Sequence, residues 1–163
     1  MGPMSPVKVT RHPDGSWELL EDFACAVVVH PGDGALEILV PAGFRYDLAS
    51  VPRFLWRLIA PFELGLAAAT VHDWLYRNGG VVRSRTWRLT RAESDWVFRI
   101  LIEAEDAERL ELLRCEIAPA VRLAALRHHW RQWWIPRWLV VRRWAAFYGV
   151  RVGGCWGAWQ GQG

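Results

Sequence analysis

The chain has 163 residues, of which 52% are hydrophobic and 23% charged, so its composition excludes a disordered segment and favours one folded domain. Its apolar runs are shorter than the roughly 18 residues of a membrane-spanning helix, its N-terminus lacks the apolar core of a secretory signal, and its three distant cysteines form no disulfide or zinc pattern. The net charge of +3 is unevenly distributed, because all 17 acidic residues lie at or before Glu116 and seven arginines follow it.

The first part of the chain, residues 1–51, is predicted to be rich in β-structure. Three prolines near the N-terminus indicate an irregular arm that ends in a turn. Short runs that favour strands follow at 16–21, 24–29 and 36–40. We therefore expect an antiparallel hairpin or a small sheet, followed by a structured loop over 44–51.

The second part, residues 52–118, is predicted to be helical. A proline in the first position favours a short helix over 52–59. A longer helix is expected over 64–77, because Asn78-Gly79-Gly80 is a typical stop signal at a helix C-terminus.

The same part contains a strong start signal for a further helix. Thr90 and Glu93 have the spacing of a capping box, in which the hydroxyl and the carboxylate accept hydrogen bonds from otherwise unpaired amides. We expect a helix from Thr90 to about Ala104 and another over 107–117.

The third part, residues 119–163, is rich in arginine and tryptophan. Pro136 is predicted to divide it into two helices, at about 120–134 and 137–148. Core packing is the default role of the tryptophans, but Trp and Arg also suit a membrane surface or a protein interface. If this part binds a membrane, replacing Arg142 and Arg143 should abolish binding to liposomes, and retained binding would count against that role.

Together, the three parts predict an α+β fold: a small N-terminal antiparallel β element, followed by a mainly α-helical body with an antiparallel helix pair. A small protein has little core in which to bury the many tryptophans of its C-terminal part. We therefore expect an oligomer or a place in a larger assembly. Nucleic acid is the less favoured partner, because no nucleic-acid-binding motif is present.

The richest chemistry lies in the helix predicted before Asn78. An adjacent His72 and Asp73 inside an apolar run are costly to bury without a partner. His72 and Tyr76 share a helix face, whereas Asp73 is rotated by about 100°. The next helix offers Asp95, and the loop upstream offers Asp47.

This set of residues predicts a metal-assisted hydrolytic site. Asp95 would accept a hydrogen bond from one ring nitrogen of His72, so that the other nitrogen takes a proton from water. Asp73 and Asp47 would supply oxygen ligands for calcium. Tyr76 would hydrogen-bond Asp95 or close the pocket. The same residues also fit a non-enzymatic polar network that holds two helices and a loop together.

A resemblance to a known family rests on several strings within residues 36–105. Among them are Val40-Pro41-Ala42-Gly43-Phe44, Asp47-Leu48-Ala49-Ser50-Val51-Pro52-Arg53 and His72-Asp73-Trp74-Leu75-Tyr76. They look like the phage and prophage family called domain of unknown function 1353. The resemblance implies a phage or prophage gene product that is made in the host cytoplasm and partners virion or tail proteins, and it defines no activity.

A second resemblance is local. The segment from His72 to Asn78 is similar to the active-site helix of bacterial and fungal phospholipase A2, which reads H-D-x-x-Y. It implies His72 as the general base, Asp73 and the upstream Asp47 as calcium ligands, and Asp95 as the carboxylate that orients the base. The chain departs from that family because it has no cysteine beside His72 and none of the helix-linking disulfides.

Three functions remain as alternatives. The first is a phage-encoded, calcium-dependent hydrolase that acts on a phospholipid or another envelope ester. The second is a virion or tail-associated structural protein whose His/Asp cluster stabilises the fold. The third is an accessory factor that binds a membrane or a host protein.

Overall fold

The computed structural model describes the backbone of residues 6–30, 32, 34–46, 66–83, 88–117 and 125–153, and within these ranges the side chains of 109, 112–117, 125–136 and 153 are not described. In these ranges five short strands precede three helices. The predicted α+β fold, with its β element first and its helical body second, is therefore confirmed. The short helix predicted over 52–59 lies outside the described residues.

The strands form two small antiparallel sheets. One has three strands, with β2 (Trp17–Leu19) in the centre between β1 (Val9–Arg11) and β5 (Arg45–Tyr46). The other is a hairpin of β3 (Phe23–Val27) and β4 (Leu36–Val40). The hairpin buries alternate residues at its ends and centre, as a half-buried sheet requires.

Two of the five strands contradict the sequence-based expectation. β1 lies where an irregular arm was expected, and β5 lies where a loop was expected. Both are too short, at three and two residues, to show a β-periodicity of their own. They form because β2 offers hydrogen-bonding edges on both sides, which is a tertiary effect.

The first helix, α1 (Leu66–Arg77), confirms the helix predicted over this segment. It ends in a Schellman motif, in which the Gly80 amide donates to the Leu75 carbonyl at 2.8 Å. Gly79 and Gly80 have φ values of +66° and +78°, which favour glycine. The Gly80 carbonyl then accepts a hydrogen bond from the Leu89 amide at 2.8 Å, which ties the end of α1 to the start of the next helix.

The second helix, α2 (Arg91–Ile117), runs antiparallel to α1. Its first turns contact the end of α1, where Tyr76 meets Asp95, and its middle contacts the start of α1, where Glu105 accepts a hydrogen bond from the Ala67 amide at 3.1 Å. Glu105 therefore satisfies an amide at the N-terminus of α1. Burial raises the pKa of this carboxyl to about 7, although the amides of Ala67 and Ala68 oppose the shift.

Two helix boundaries that were predicted are wrong. α2 continues through 105–106, where a break was expected, because no proline or glycine interrupts it. The third helix, α3 (Ala125–Gly153), continues through Pro136. A proline removes one backbone hydrogen bond and bends a helix, but helix-forming sequence on both sides allows the helix to continue.

α3 packs on α2 around a buried ion pair. Arg142 donates to one carboxylate oxygen of Asp106, and Arg143 donates to the other at 2.8 Å. Arg142 and Asp106 are each 2% exposed. The charge of Arg142 is therefore used between two helices, so replacing this residue would disturb the fold and would not test membrane binding alone. In the described part of the chain, no helix is long and apolar enough to cross a membrane.

The core lies between the β3–β4 hairpin, α1 and α2, and α3, which packs on α2, contributes to it. Val71 and Leu75 of α1 and Phe98 and Leu101 of α2 are at most 1% exposed. The strands and α3 also contribute residues to the core, among them Leu19, Phe23, Val27, Leu36, Ile38, Val40, Ala146 and Val150.

Candidate functional site

The position of the site follows from how α2 begins. The Thr90 amide donates to the Glu93 carboxylate at 2.7 Å, and the Glu93 amide donates to the Thr90 hydroxyl at 3.2 Å. These two bonds confirm the predicted capping box. Asp95 follows within the first turns of α2, whose start is fixed by this cap. The His72, Asp73 and Tyr76 side chains come from the last turns of α1.

The structure brings His72, Tyr76 and Asp95 together. His72 Nε2 lies 3.3 Å from Oδ1 of Asp95, and the Tyr76 hydroxyl donates to the same oxygen at 2.5 Å. The second ring nitrogen, His72 Nδ1, lies 3.6 Å from Oδ1 of Asp73. One imidazole therefore has a carboxylate near each of its nitrogens.

Two aromatic rings pack against the imidazole. The Tyr76 ring centroid lies 4.2 Å from that of His72, and the Phe98 ring centroid lies 4.9 Å away. His72 is 1% exposed and Asp95 is 0% exposed. A polar group in such surroundings must be hydrogen-bonded, because burial without a partner is costly. The network meets this requirement for the ring of His72.

The electrostatics of His72 are a balance between burial and the two carboxylates. Burial disfavours the charged imidazolium and alone would lower the pKa of His72. The hydrogen bonds and negative charges of Asp73 and Asp95 outweigh this effect, so the pKa of His72 is raised above its usual value. Burial, followed by the hydrogen bond to Asp95, raises the pKa of Tyr76, which keeps its hydroxyl protonated as a donor.

Tyr46 is a site residue that the sequence interpretation missed. It ends β5, is 1% exposed and stacks on Phe44 with ring centroids 5.9 Å apart. Burial raises the pKa of its phenol, a contact with Thr70 opposes the shift, and the charge of Asp73 adds to it. No local signal in the sequence indicates this placement, because the two-residue strand β5 forms by pairing with β2.

The structure describes one of the two predicted calcium ligands. Asp73 is 4% exposed and lies beside the imidazole, whereas Asp47 lies outside the described residues. In the described ranges, no group of three or more His, Cys, Asp or Glu side chains could hold a metal ion. Calcium takes roughly six to eight oxygen ligands, so Asp73 alone does not make a calcium site. Calcium binding therefore stays a prediction.

Comparison with known proteins connects the site to one family. The family model described as "Protein of unknown function (DUF1353)" matches residues 17–113. The match includes the central strand β2, all of α1 and most of α2, and therefore the whole His72 network. α3 lies beyond it. No curated protein and no solved structure matches the chain.

Proposed function

The chain belongs to the family of unknown function DUF1353, and we propose that it is a phage- or prophage-encoded, calcium-dependent hydrolase of ester bonds that resembles phospholipase A2 in its chemistry. The observation that carries the proposal is the arrangement around one imidazole. One ring nitrogen of His72 contacts Asp95, and the other lies near the carboxylate of Asp73. The Tyr76 hydroxyl donates a hydrogen bond that holds Asp95 in place. The phage context rests on the similar sequence strings.

Asp95 gives His72 the tautomer that a general base needs. With the proton of the neutral ring on Nε2 and donated to Asp95, the lone pair remains on Nδ1. Nδ1 then removes a proton from a water molecule, and the resulting hydroxide attacks the ester carbonyl carbon. The positive charge that develops on the ring is stabilised by the Asp95 carboxylate, which the Tyr76 hydroxyl keeps fixed.

Asp73 has a different part in the proposal. Its carboxylate lies on the Nδ1 side of the ring, where the attacking water would bind. Together with Asp47 it would hold the calcium ion, which when bound supplies positive charge to polarise the ester carbonyl. Because His72 is 1% exposed, the substrate reaches Nδ1 only if the structure opens locally.

That burial is the observation in favour of a second candidate function. A network of this kind also serves a non-enzymatic virion or tail-associated protein, in which His72, Asp95 and Tyr76 hold α1 against α2. This candidate is favoured if the folded wild-type protein hydrolyses no ester and is present at fixed stoichiometry in phage particles.

The first prediction tests the hydrolase. Wild-type protein should release fatty acid from mixed phosphatidylglycerol and phosphatidylcholine vesicles with calcium and lose this activity when calcium is chelated. His72→Gln should lower kcat/KM by roughly 100-fold or more, because general-base catalysis contributes about that much. Fatty-acid release and circular dichroism are the two measurements.

His30→Gln is the matched control. His30 Nε2 also lies 3.3 Å from a glutamate oxygen, but its side chain is 56% exposed and far from His72 in the chain. The control should keep full activity. Absence of calcium-dependent hydrolysis in the folded wild type, or full activity of folded His72→Gln, would show that the hydrolase proposal is wrong.

A further inference from the structure

α3 carries apolar side chains on two opposite faces. The inner face packs on α2 and includes the buried Leu139, Ala146 and Val150. The opposite face, here named the outer face of α3, follows a spacing of three or four residues and so forms one continuous strip. Its members, with their exposed fractions, are Trp138 (45%), Val141 (53%), Trp144 (39%), Tyr148 (57%) and Val152 (53%).

Contacts with α2 hold part of this face in a fixed arrangement. The guanidinium of Arg99 lies 4.0 Å from the Trp144 ring centroid and 4.5 Å from that of Trp96. Trp144 in turn stacks on Tyr148, with ring centroids 5.6 Å apart and planes at 24°. Side chains that are already ordered lose less conformational entropy when they bind a partner. The exposed rings of Trp144 and Tyr148 are therefore pre-organised for binding at an interface.

The charge of α3 indicates the chemistry of the partner. The helix contains six arginines and no acidic residue. Asp106 pairs with both Arg142 and Arg143, and Arg137 and Arg151 are exposed near the two ends of the outer face. A second copy seated on the same face would bring two basic helices together, which like-charge repulsion disfavours. The charge is instead complementary to an anionic partner.

We propose that the outer face of α3 binds the surface of an anionic phospholipid membrane, with the helix lying in the plane of the interface. Trp and Tyr rings prefer the headgroup region, and the valines would insert among the upper acyl carbons. The strip extends about 21 Å along the helix, since residues 138 and 152 are fourteen apart. A nucleic acid would use the rings and arginines but would leave Val141 and Val152 exposed.

This proposal is independent of the hydrolase and is tested by binding alone. Full-length protein is sedimented with phosphatidylglycerol/phosphatidylcholine vesicles and with pure phosphatidylcholine vesicles, in chelator so that calcium-dependent hydrolysis does not occur. We expect stronger binding to the anionic vesicles and weaker binding at high salt. The variant V141S/Y148S/V152S should bind at least about tenfold more weakly, because it removes three inserting side chains. Trp144 is left intact because it packs against Arg99.

The matched control is L20S/V28S/V81S, which replaces three apolar residues that are 58%, 50% and 44% exposed but lie outside α3. It should bind like wild type. Equal binding to neutral vesicles, an equal loss in the control, or no loss in a folded V141S/Y148S/V152S variant would overturn the proposal. So would a wild-type dimer that this variant dissociates, or binding of single-stranded RNA in place of vesicles.

Discussion

His72 has a carboxylate near each ring nitrogen, and its protonation state determines whether it can act as a base. Its pKa is raised because the hydrogen bonds and charges of Asp73 and Asp95 outweigh the effect of burial. A raised pKa in the folded state means that protonated His72 stabilises the fold. This contribution is complete below the unfolded value of about 6.5 and is lost as the pH rises through the folded-state pKa. A base must be neutral, so hydrolysis should increase over the same pH range.

Asp95→Asn should lower the pKa of His72, because it removes one of the two charges that oppose burial. The dependence of unfolding free energy on pH above about 6.5 should become weaker in the same variant. NMR titration of the His72 ring protons measures the first effect, and urea unfolding at several pH values measures the second. A titration midpoint that stays the same or rises would contradict this account of the network.

At the scale of elements, the contact of Gly80 with Leu89 helps to position the site, because it joins the end of α1 to the start of α2. Gly80 combines a φ of +78° with close contact to the backbone of Leu89, whose carbonyl oxygen would lie 2.1 Å from an added Cβ. The hydrogen bond between the Gly80 carbonyl and the Leu89 amide occurs at the same place. A side chain at this position would separate the end of α1 from the start of α2.

Gly80→Ala should therefore destabilise the protein more than Gly15→Ala. Gly15 has a φ of +88° but no atom within 4 Å of an added Cβ, so its substitution costs only the left-handed conformation, about 1–2 kcal/mol. Gly80→Ala should cost at least about 1 kcal/mol more, because it also breaks a backbone contact. Urea unfolding of both variants gives the comparison, and equal losses of unfolding free energy would disagree with it.

The elements that the sequence predicted are those with local signals. The C-terminus of α1 and the capping box of α2 depend on residues within a few positions of each other, so both are readable from the sequence. β1 and β5 depend on pairing with β2, and the length of α3 depends on how its chain continues through Pro136. These are properties of the folded chain that no local pattern contains.

The candidate site was predictable to a similar extent. The helical spacing of His72 and Tyr76, together with the apolar face that carries Asp95, indicated a shared cluster, and the structure brings these three residues together. Tyr46 was not predictable as a member because its position depends on the short strand β5. The burial of Arg142 was missed because its partner, Asp106, is 36 residues away in the chain.

At the scale of the whole molecule, one buried carboxylate joins α2 to the Arg/Trp-rich helix. Asp106 accepts hydrogen bonds from Arg142 and Arg143, and both Asp106 and Arg142 are 2% exposed. Removing one partner of a buried ion pair leaves the other charge without compensation. The attachment of α3, and with it the outer face, therefore depends on Asp106.

Asp106→Asn should lower the free energy of unfolding by about 3–5 kcal/mol, the usual cost of breaking a buried pair. Glu103→Gln is the matched control, because Glu103 also lies near Arg143, at 3.8 Å, but its side chain is 45% exposed. The control should cost less than about 1 kcal/mol. Chemical denaturation tests both variants, and a similar loss in the two would argue against a dominant role for the buried pair.

Glu105, the residue before Asp106, links the stability of the molecule to pH. Burial raises the pKa of this carboxyl to about 7, above the ordinary value of about 4.5, because desolvation disfavours its charged form. The same carboxyl group accepts the Ala67 amide at the N-terminus of α1. The free energy of unfolding should therefore fall as the pH rises from about 4.5 through 7, and helix α1 begins at a carboxyl group that senses pH.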